Sequence, residues 1–306
     1  VYLNNFMSSV VAELEMNGQY GTAHVCGSVL RSVMAFGGEG LPVSGITPLW
    51  LKAYEGYLLH KGGKGLAWNT VSTYMRMLQA VYNRAVVRKL AAFIPHQFRD
   101  VFTGRKADHR RVLERDDMQK LLVERDPDIT SPGMAWARAC LELMFRFHGM
   151  PFVDLAHLRK SDLKDGYLTL RRRKTGMPLS ARVDGRAMQL LERYRNRDDT
   201  SPYLLCFLDG NLEGMAAYRD YQRILRLLNS RLRVLALWKK VQGKVTSYSA
   251  RHTWATVGRY CHIPIEVISE GLGHASVTTT EGYMKGFGNS RMDRANKVIM
   301  NYIFKG

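Results

Sequence analysis

The sequence predicts a mainly α protein with one small β-sheet, an α+β chain divided into two domains. Three observations carry this reading. Apolar residues recur at helical spacing from Leu3 to about Leu90, a basic and almost wholly polar stretch follows at 103–111, and two β-like runs then sit among further helical segments. With 306 residues, 46% of them apolar, the chain holds enough material for two buried cores.

Phe6, Val10, Val11 and Leu14 form one apolar stripe and Val25, Leu30 and Met34 a second, before GGEG and LPVSG break the pattern. A third helix starts near Thr47 (TPLWLKAYEGYLLHK), and a fourth, from about 69 to 90, spaces Tyr74, Leu78, Val81, Tyr82 and Ala85 along one face. These make a helical unit over residues 1–103. The fourth helix also carries Arg76, Arg84, Arg88 and Lys89, charges of one sign that suit a phosphate-contacting face. TGRKADHRR, with Arg105, Lys106, Arg110 and Arg111, reads as a basic linker over 104–111.

The second domain spans 112–306. It opens with a helix in LERDDMQKLLV and a longer one over about 133–148. The β-like runs GYLTLRRRK and MPLSARV meet at Thr175-Gly176, which reads as a hairpin turn. Helices are then expected at about 185–196, 214–234, 249–261, 264–271, 277–283 and 291–304. No repeats or low-complexity tracts appear.

Forty-five Lys and Arg against 27 Asp and Glu give a formal charge of +18, which predicts a polyanionic partner. The four cysteines (Cys26, Cys140, Cys206, Cys261) form no CxxC pair and sit in apolar contexts, so they read as reduced core residues without disulfides. No apolar run approaches the roughly 18 residues of a membrane span, and no signal peptide is visible. The first residue is Val1 rather than methionine, which suggests a preceding segment. The nine histidines include no pair three or four apart on one helix and no accompanying cysteine or carboxylate cluster, so neither a metal nor a cofactor is expected. GxxxxGK[ST], a GxGxxG after a strand and GxSxG are all missing, which leaves nucleotide-driven and serine-hydrolase chemistry unsupported.

The stretch YSARHTWATVGRY, residues 248–260, poses a more specific question. It begins like a helix, with Thr246 and Ser247 available as caps, yet Arg251 sits in the first turn, where free N–H groups already make the helix end positive. An arginine there calls for an anion. A helix N-terminus with a guanidinium fork matches the oxygens of a phosphate. Downstream lie His274 in GLGHAS and Tyr283 at the end of VTTTEGY.

SARHTWAT followed by GLGHASVTTTEGYMKG resembles the tyrosine recombinases, the phage-integrase family, whose signature is Arg-His near a helix start, Leu-Gly-His, and a tyrosine nine positions on. The resemblance covers essentially the whole chain. It implies a two-domain clamp on double-stranded DNA, with a helical, SAM-like core-binding domain and a catalytic domain, that assembles as a homo-tetramer on paired sites in the bacterial cytoplasm and nucleoid and admits accessory DNA-bending proteins. Tyr283 is then the nucleophile, forming a 3′-phosphotyrosyl bond and freeing a 5′-hydroxyl. The covalent intermediate conserves bond energy, so rejoining needs neither ATP nor metal. Arg251 holds the phosphate oxygens, His274 donates a further hydrogen bond, and Lys174 of the hairpin protonates the leaving oxygen. Arg171, Arg172 and Arg173 before Lys174 are expected to contact DNA. His252, pointing about 100° away from Arg251 around the helix, is expected to be a packed core residue.

Two positions depart from the family pattern. Tyr248 stands where His-x-x-Arg has histidine and remains a candidate catalytic residue able to hydrogen-bond a phosphate, and GMPFVDLAHLRKSDL places Pro151 where the first catalytic arginine belongs. The segment resembles a sub-branch of integrases and DNA invertases with GMxFxD, which also lacks that arginine. A substitute is expected nearby, and Arg138, Arg146 and His148 on the preceding helix are the candidates. The tail DRANKVIMNYIFKG has an apolar stripe (Val298, Ile299, Tyr302, Ile303) that suits packing on its own domain or, as the resemblance implies, docking on a neighbouring protomer. The reading is a site-specific recombinase that integrates, excises or inverts DNA. A type IB topoisomerase-like nicking-closing enzyme and a catalytically impaired DNA-binding relic are the alternatives.

Overall fold

The computed structural model describes residues 1–106, 112–122, 131–274, 276–281 and 296. The chain divides into two compact units, residues 1–107 with 212–219, and residues 108–211 with 220–306.

The first unit is built on four helices, α1 (Leu3–Met16), α2 (Tyr20–Gly37), α3 (Pro48–His60) and α4 (Trp68–Val87). Phe6, Val10 and Leu14 of α1 and Leu78, Val81 and Ala85 of α4 are buried as their spacing predicts. On α2 the buried line is Ala23, Cys26, Val29 and Val33, whereas Val25 and Leu30 only flank the core. Val25 and Val29 are the same residue type, so residue type alone does not select the packed face. Thr47 caps α3 by accepting from the Trp50 N–H at 3.1 Å, with Pro48 at the first helical position.

The start of the expected linker is strapped to this unit. Phe102 N–H donates to buried Glu55 at 2.7 Å, Ser72 Oγ donates to the Gly104 carbonyl at 2.6 Å, and the Asn69 amide exchanges two 2.8 Å bonds with the Lys106 backbone. Lys106 Nζ lies 4.3 Å from the Trp68 ring centroid. These bonds occupy backbone groups that a free linker leaves to water.

The second unit contains α5 (Arg115–Leu122), α6 (Pro132–Arg146), α7 (Phe152–Ala156), β1 (Leu163–Lys164), β2 (Tyr167–Arg171), β3 (Pro178–Arg182), α8 (Gly185–Arg193), α9 (Gly214–Trp238) from residue 220 onward, α10 (Ser249–Tyr260), α11 (Ile265–Gly271) and α12 (Val277–Glu281). The strands form an antiparallel sheet in the order β1-β2-β3, with Leu168 opposite Ala181 and Arg171 opposite Pro178. Leu168 and Ala181 point into a core shared with Leu141, Phe147, Leu155 and Leu228. The turn is wider than a two-residue hairpin at Thr175-Gly176. Arg172 N–H donates to Met177 O at 2.9 Å and Gly176 N–H to Arg172 O at 2.8 Å, because the chain leaves the ladder to carry the Arg172 side chain inward. Helix α7, five residues long, is too short for periodicity to reveal.

Cys26 and Cys140 are buried, but Cys206 and Cys261 are exposed, so an apolar local sequence does not place a thiol in the core. No helix among the described residues is long and apolar enough to cross a membrane, and no group of three or more His, Cys, Asp or Glu among them is placed to hold a metal ion.

Candidate active site

Arg251 lies in the first turn of α10 and is only 2% exposed. The expected caps work differently. Tyr248, at the cap position, makes no side-chain cap bond, while the Thr246 and Ser247 N–H groups donate to Ser249 Oγ and Asn229 Oδ1, fixing the turn that leads into the helix. The guanidinium turns inward to the Gly149 carbonyl (Nη1, 3.0 Å), the Leu272 carbonyl (Nη2, 2.6 Å) and His274 Nε2 (Nη2, 2.7 Å). Gly149, with φ +66°, permits this approach: a Cβ there would stand 2.9 Å from the Arg251 Cα.

Arg172 occupies the same neighbourhood. Expected to contact DNA as part of a charge run, it is instead 6% exposed. Its Nε donates to Asp154 Oδ2 at 3.1 Å, and its Nη1 donates to the carbonyls of Leu272 and Gly273. Asp154 Oδ1 accepts from the Arg173 N–H at 3.0 Å, so both carboxylate oxygens hold the hairpin. This explains much of GMPFVD: Gly149 admits Arg251, Met150 and Phe152 enter the core, and Asp154 anchors Arg172. Gly273 is needed for a similar reason, since at φ +60° a Cβ would stand 2.5 Å from Arg172 Cδ. Among the described residues, Arg172 Nη2 has no hydrogen-bond partner.

His274 completes the cluster. Its Nε2 accepts from Arg251, so Nδ1 carries the proton and donates to Thr280 Oγ1 at 2.8 Å. Burial, then the positive charges of Arg251, Arg172 and Lys174, pushes its pKa down to about 4, leaving a neutral imidazole at neutral pH. Lys174 itself is exposed in the hairpin turn. Tyr283 lies outside the described residues, as does the tail with its apolar stripe.

The expected substitutes for the missing arginine are engaged elsewhere. Arg138 Nη2 donates to the Leu122 carbonyl. Arg146 is ion-paired with Glu142 and with Asp184 at 2.6 Å, across α6 and α8. The ring of His148 packs against Trp254 at 5.6 Å, and burial lowers its pKa. Their place on the preceding helix made them candidates, but helix position does not show where a long side chain turns. The signal for Arg172 was its register two residues before Lys174, hidden by the arginines on either side. His252 is 9% exposed, with its ring 6.2 Å from that of Tyr248, and Tyr248 is 38% exposed.

The basic residues of the first unit fall into two groups. Arg84 and Arg88 both pair with Glu13 of α1, at 3.4 and 2.7 Å, and Arg88 also covers the Phe6 ring, so they clamp two helices together. Arg76, Lys89 and Arg105 are exposed, whereas the Lys106 ammonium is held over Trp68. In the second unit Arg171 donates to the Gly176 carbonyl and Arg173 remains exposed. Arg110 and Arg111 lie outside the described residues.

Comparison with known proteins shows the family to which the chain belongs. The chain is 29% identical to the tyrosine recombinase XerA of Pyrococcus furiosus over 140 residues, 45% of this chain and 46% of that protein, so it spans about half the length of that relative. It is 27% identical to a putative integrase/recombinase, y4gC, of Sinorhizobium fredii, over 57% of this chain and 88% of that protein. Two solved structures share the fold at 16% identity. The Tn1549 transposon integrase with transposon right end DNA has a TM-score of 0.67, covering 99% of both chains, and a lambda integrase dimer on a core site has 0.64, covering 94% and 97%. Residues 2–99 match the phage integrase SAM-like domain and residues 111–287 the phage integrase family. The chain belongs to the phage integrase family of tyrosine recombinases.

Proposed function

We propose that the protein is a site-specific tyrosine recombinase that cuts and rejoins duplex DNA, with Arg251, Arg172 and His274 as its phosphate clamp. The observation that carries this is the convergence of both guanidiniums on the Leu272 carbonyl, with His274 bonded to one of them. Arg251 Nη2 and Arg172 Nη2 supply donors for two phosphate oxygens, and the buried setting strengthens them as charge develops in the transition state. Arg172 takes the place of the arginine that Pro151 displaces. His274 donates from Nε2 once it gives up its bond from Arg251, which requires a proton at that nitrogen. Lys174 lies close enough for its charge to bear on His274 and serves as the acid for the leaving 5′-oxygen. Tyr283, nine residues after His274, attacks to form the 3′-phosphotyrosyl bond.

DNA is the polyanion that matches the +18 charge. Neighbours of the same fold were solved on DNA, including a lambda integrase tetramer on a Holliday junction, which supports a homo-tetramer on paired sites. Docking of the 293–306 segment on a neighbouring protomer belongs to the same reading. A target duplex nicked beside the scissile phosphate tests it. Wild type should become covalently attached to DNA and Tyr283→Phe should not; wild type that yields no adduct on a site it binds contradicts the proposal.

A further inference from the structure

Pro151 and Tyr248, the two departures from the family pattern, line the same cleft of about 360 Å³ in the second unit. Phe152 and Tyr221 give it an aromatic wall, stacked on each other at 6.2 Å and 23°. Arg233 and Lys244, both exposed, give it a basic rim, and no carboxylate among the described residues lines it. Proline leaves open space that a long side chain at 151 would enter. The volume is in the range of small-molecule sites, and flat aromatic surface beside two cations suits a ligand with a planar ring and a phosphate.

The position narrows the ligand further. Pro151 follows by two residues the Gly149 carbonyl that binds Arg251, and Tyr248 precedes Arg251 by one turn at the start of α10. The cleft is thus lined by chain neighbours of both Arg251 and the carbonyl that holds it. We propose, on the basis of the recombinase reading above, that the cleft holds one nucleotide next to the cleaved phosphodiester. Its base stacks on Tyr248 and Tyr221, and its phosphate lies between Arg233 and Lys244. The two departures then act together, turning space beside the phosphate clamp into a subsite that reads or grips a base.

A target duplex selected from random DNA by binding to the full chain, then remade with an abasic nucleotide at each position around the cleavage point, tests this by fluorescence anisotropy. At one position, base removal should weaken wild type and Tyr248→Phe about tenfold, the scale of one lost base-aromatic stack, yet leave Tyr248→Ala unchanged. Lys244→Ala should bind every duplex more weakly, with a salt slope shallower by about one. Abasic effects that are equal in wild type and Tyr248→Ala at every position overturn the subsite. Adduct formation on the intact nicked duplex is read in parallel. A protein that forms the adduct but shows no Tyr248-dependent position loses the cleft assignment alone, whereas failure of the adduct strikes the recombinase reading.

Discussion

Arg172 and Arg251 donate to one acceptor, the carbonyl of Leu272, although they come from the β2–β3 hairpin and from the start of α10. Two buried guanidiniums that share an acceptor repel each other, and the Asp154 carboxylate offsets one of them. A phosphate in front of the pair relieves the remaining repulsion, which fits a site held ready for an anion.

Asp154 is therefore the most exposed point of the arrangement energetically, although it is 2% exposed to solvent. Asp154→Ala leaves Arg172 buried without its carboxylate, and removing one partner of a buried pair costs about 3–5 kcal/mol. Urea unfolding should show a loss of this order, while Asp154→Asn should lose less because it keeps an oxygen for Arg172.

Gly149→Ala combines a left-handed backbone with a contact of 2.9 Å to the Arg251 Cα. A loss of roughly 2 kcal/mol is expected from the strain alone. Because the same contact displaces Arg251, DNA cleavage should fall by more than the thermal melt explains. A variant that melts early but cleaves normally would show that Gly149 serves packing only.

His274 and His157 both have pKa values lowered to about 4, in each case first by burial and then by nearby arginines. The unfolded chain, titrating near 6.5, binds more protons than the folded one between about pH 4 and 6.5. Stability should be fully present above about pH 6.5 and decline as the pH falls toward 4. His274→Gln should flatten part of that decline in pH-dependent melts. His274 donates to phosphate from Nε2 either by taking up a proton or by shifting its proton from Nδ1 while the Thr280 hydroxyl turns to donate to Nδ1. Calorimetry in buffers of different ionisation enthalpy separates the two, since only the first takes up a proton on target binding.

DNA affinity should fall steeply with salt as lysines and arginines release counterions. Arg88, ion-paired with Glu13, and Arg76, with no ion pair among the described residues, should differ. Arg76→Ala should make the salt slope shallower by about one, whereas Arg88→Ala should change it less, because Glu13 already neutralises that charge. Equal slopes for the two variants would show that Glu13 releases Arg88 on the DNA.

The helices and the small sheet were legible because their apolar residues follow periods that only those structures satisfy. Arg251 and His274 were singled out by the spacing of the family signature and Lys174 by its register just before Thr175-Gly176, and the structure brings the first two into contact at 2.7 Å. Arg172 was not, since three consecutive arginines look alike in sequence and only the inward path of the turn, drawn by Asp154, selects one for burial. The ion pairs of Arg84 and Arg88 were not legible for the converse reason: their partner, Glu13, lies on another helix, and no local pattern announces it. The strap of residues 102–106 on α3 and α4 likewise depends on long-range bonds from Glu55, Asn69 and Ser72.

Arg172 is proposed to supply the second guanidinium of the phosphate clamp. Single-turnover cleavage of a nicked target by wild type, Arg172→Lys and Arg146→Lys, with binding measured alongside, tests it most directly. Arg172→Lys keeps the charge but loses the fork. It should cleave about 100-fold or more slowly, the scale expected for one lost transition-state donor, while binding DNA within a few-fold of wild type. Arg146→Lys should cleave at nearly the normal rate. Normal cleavage by Arg172→Lys, or the large loss appearing in Arg146→Lys instead, would contradict the assignment.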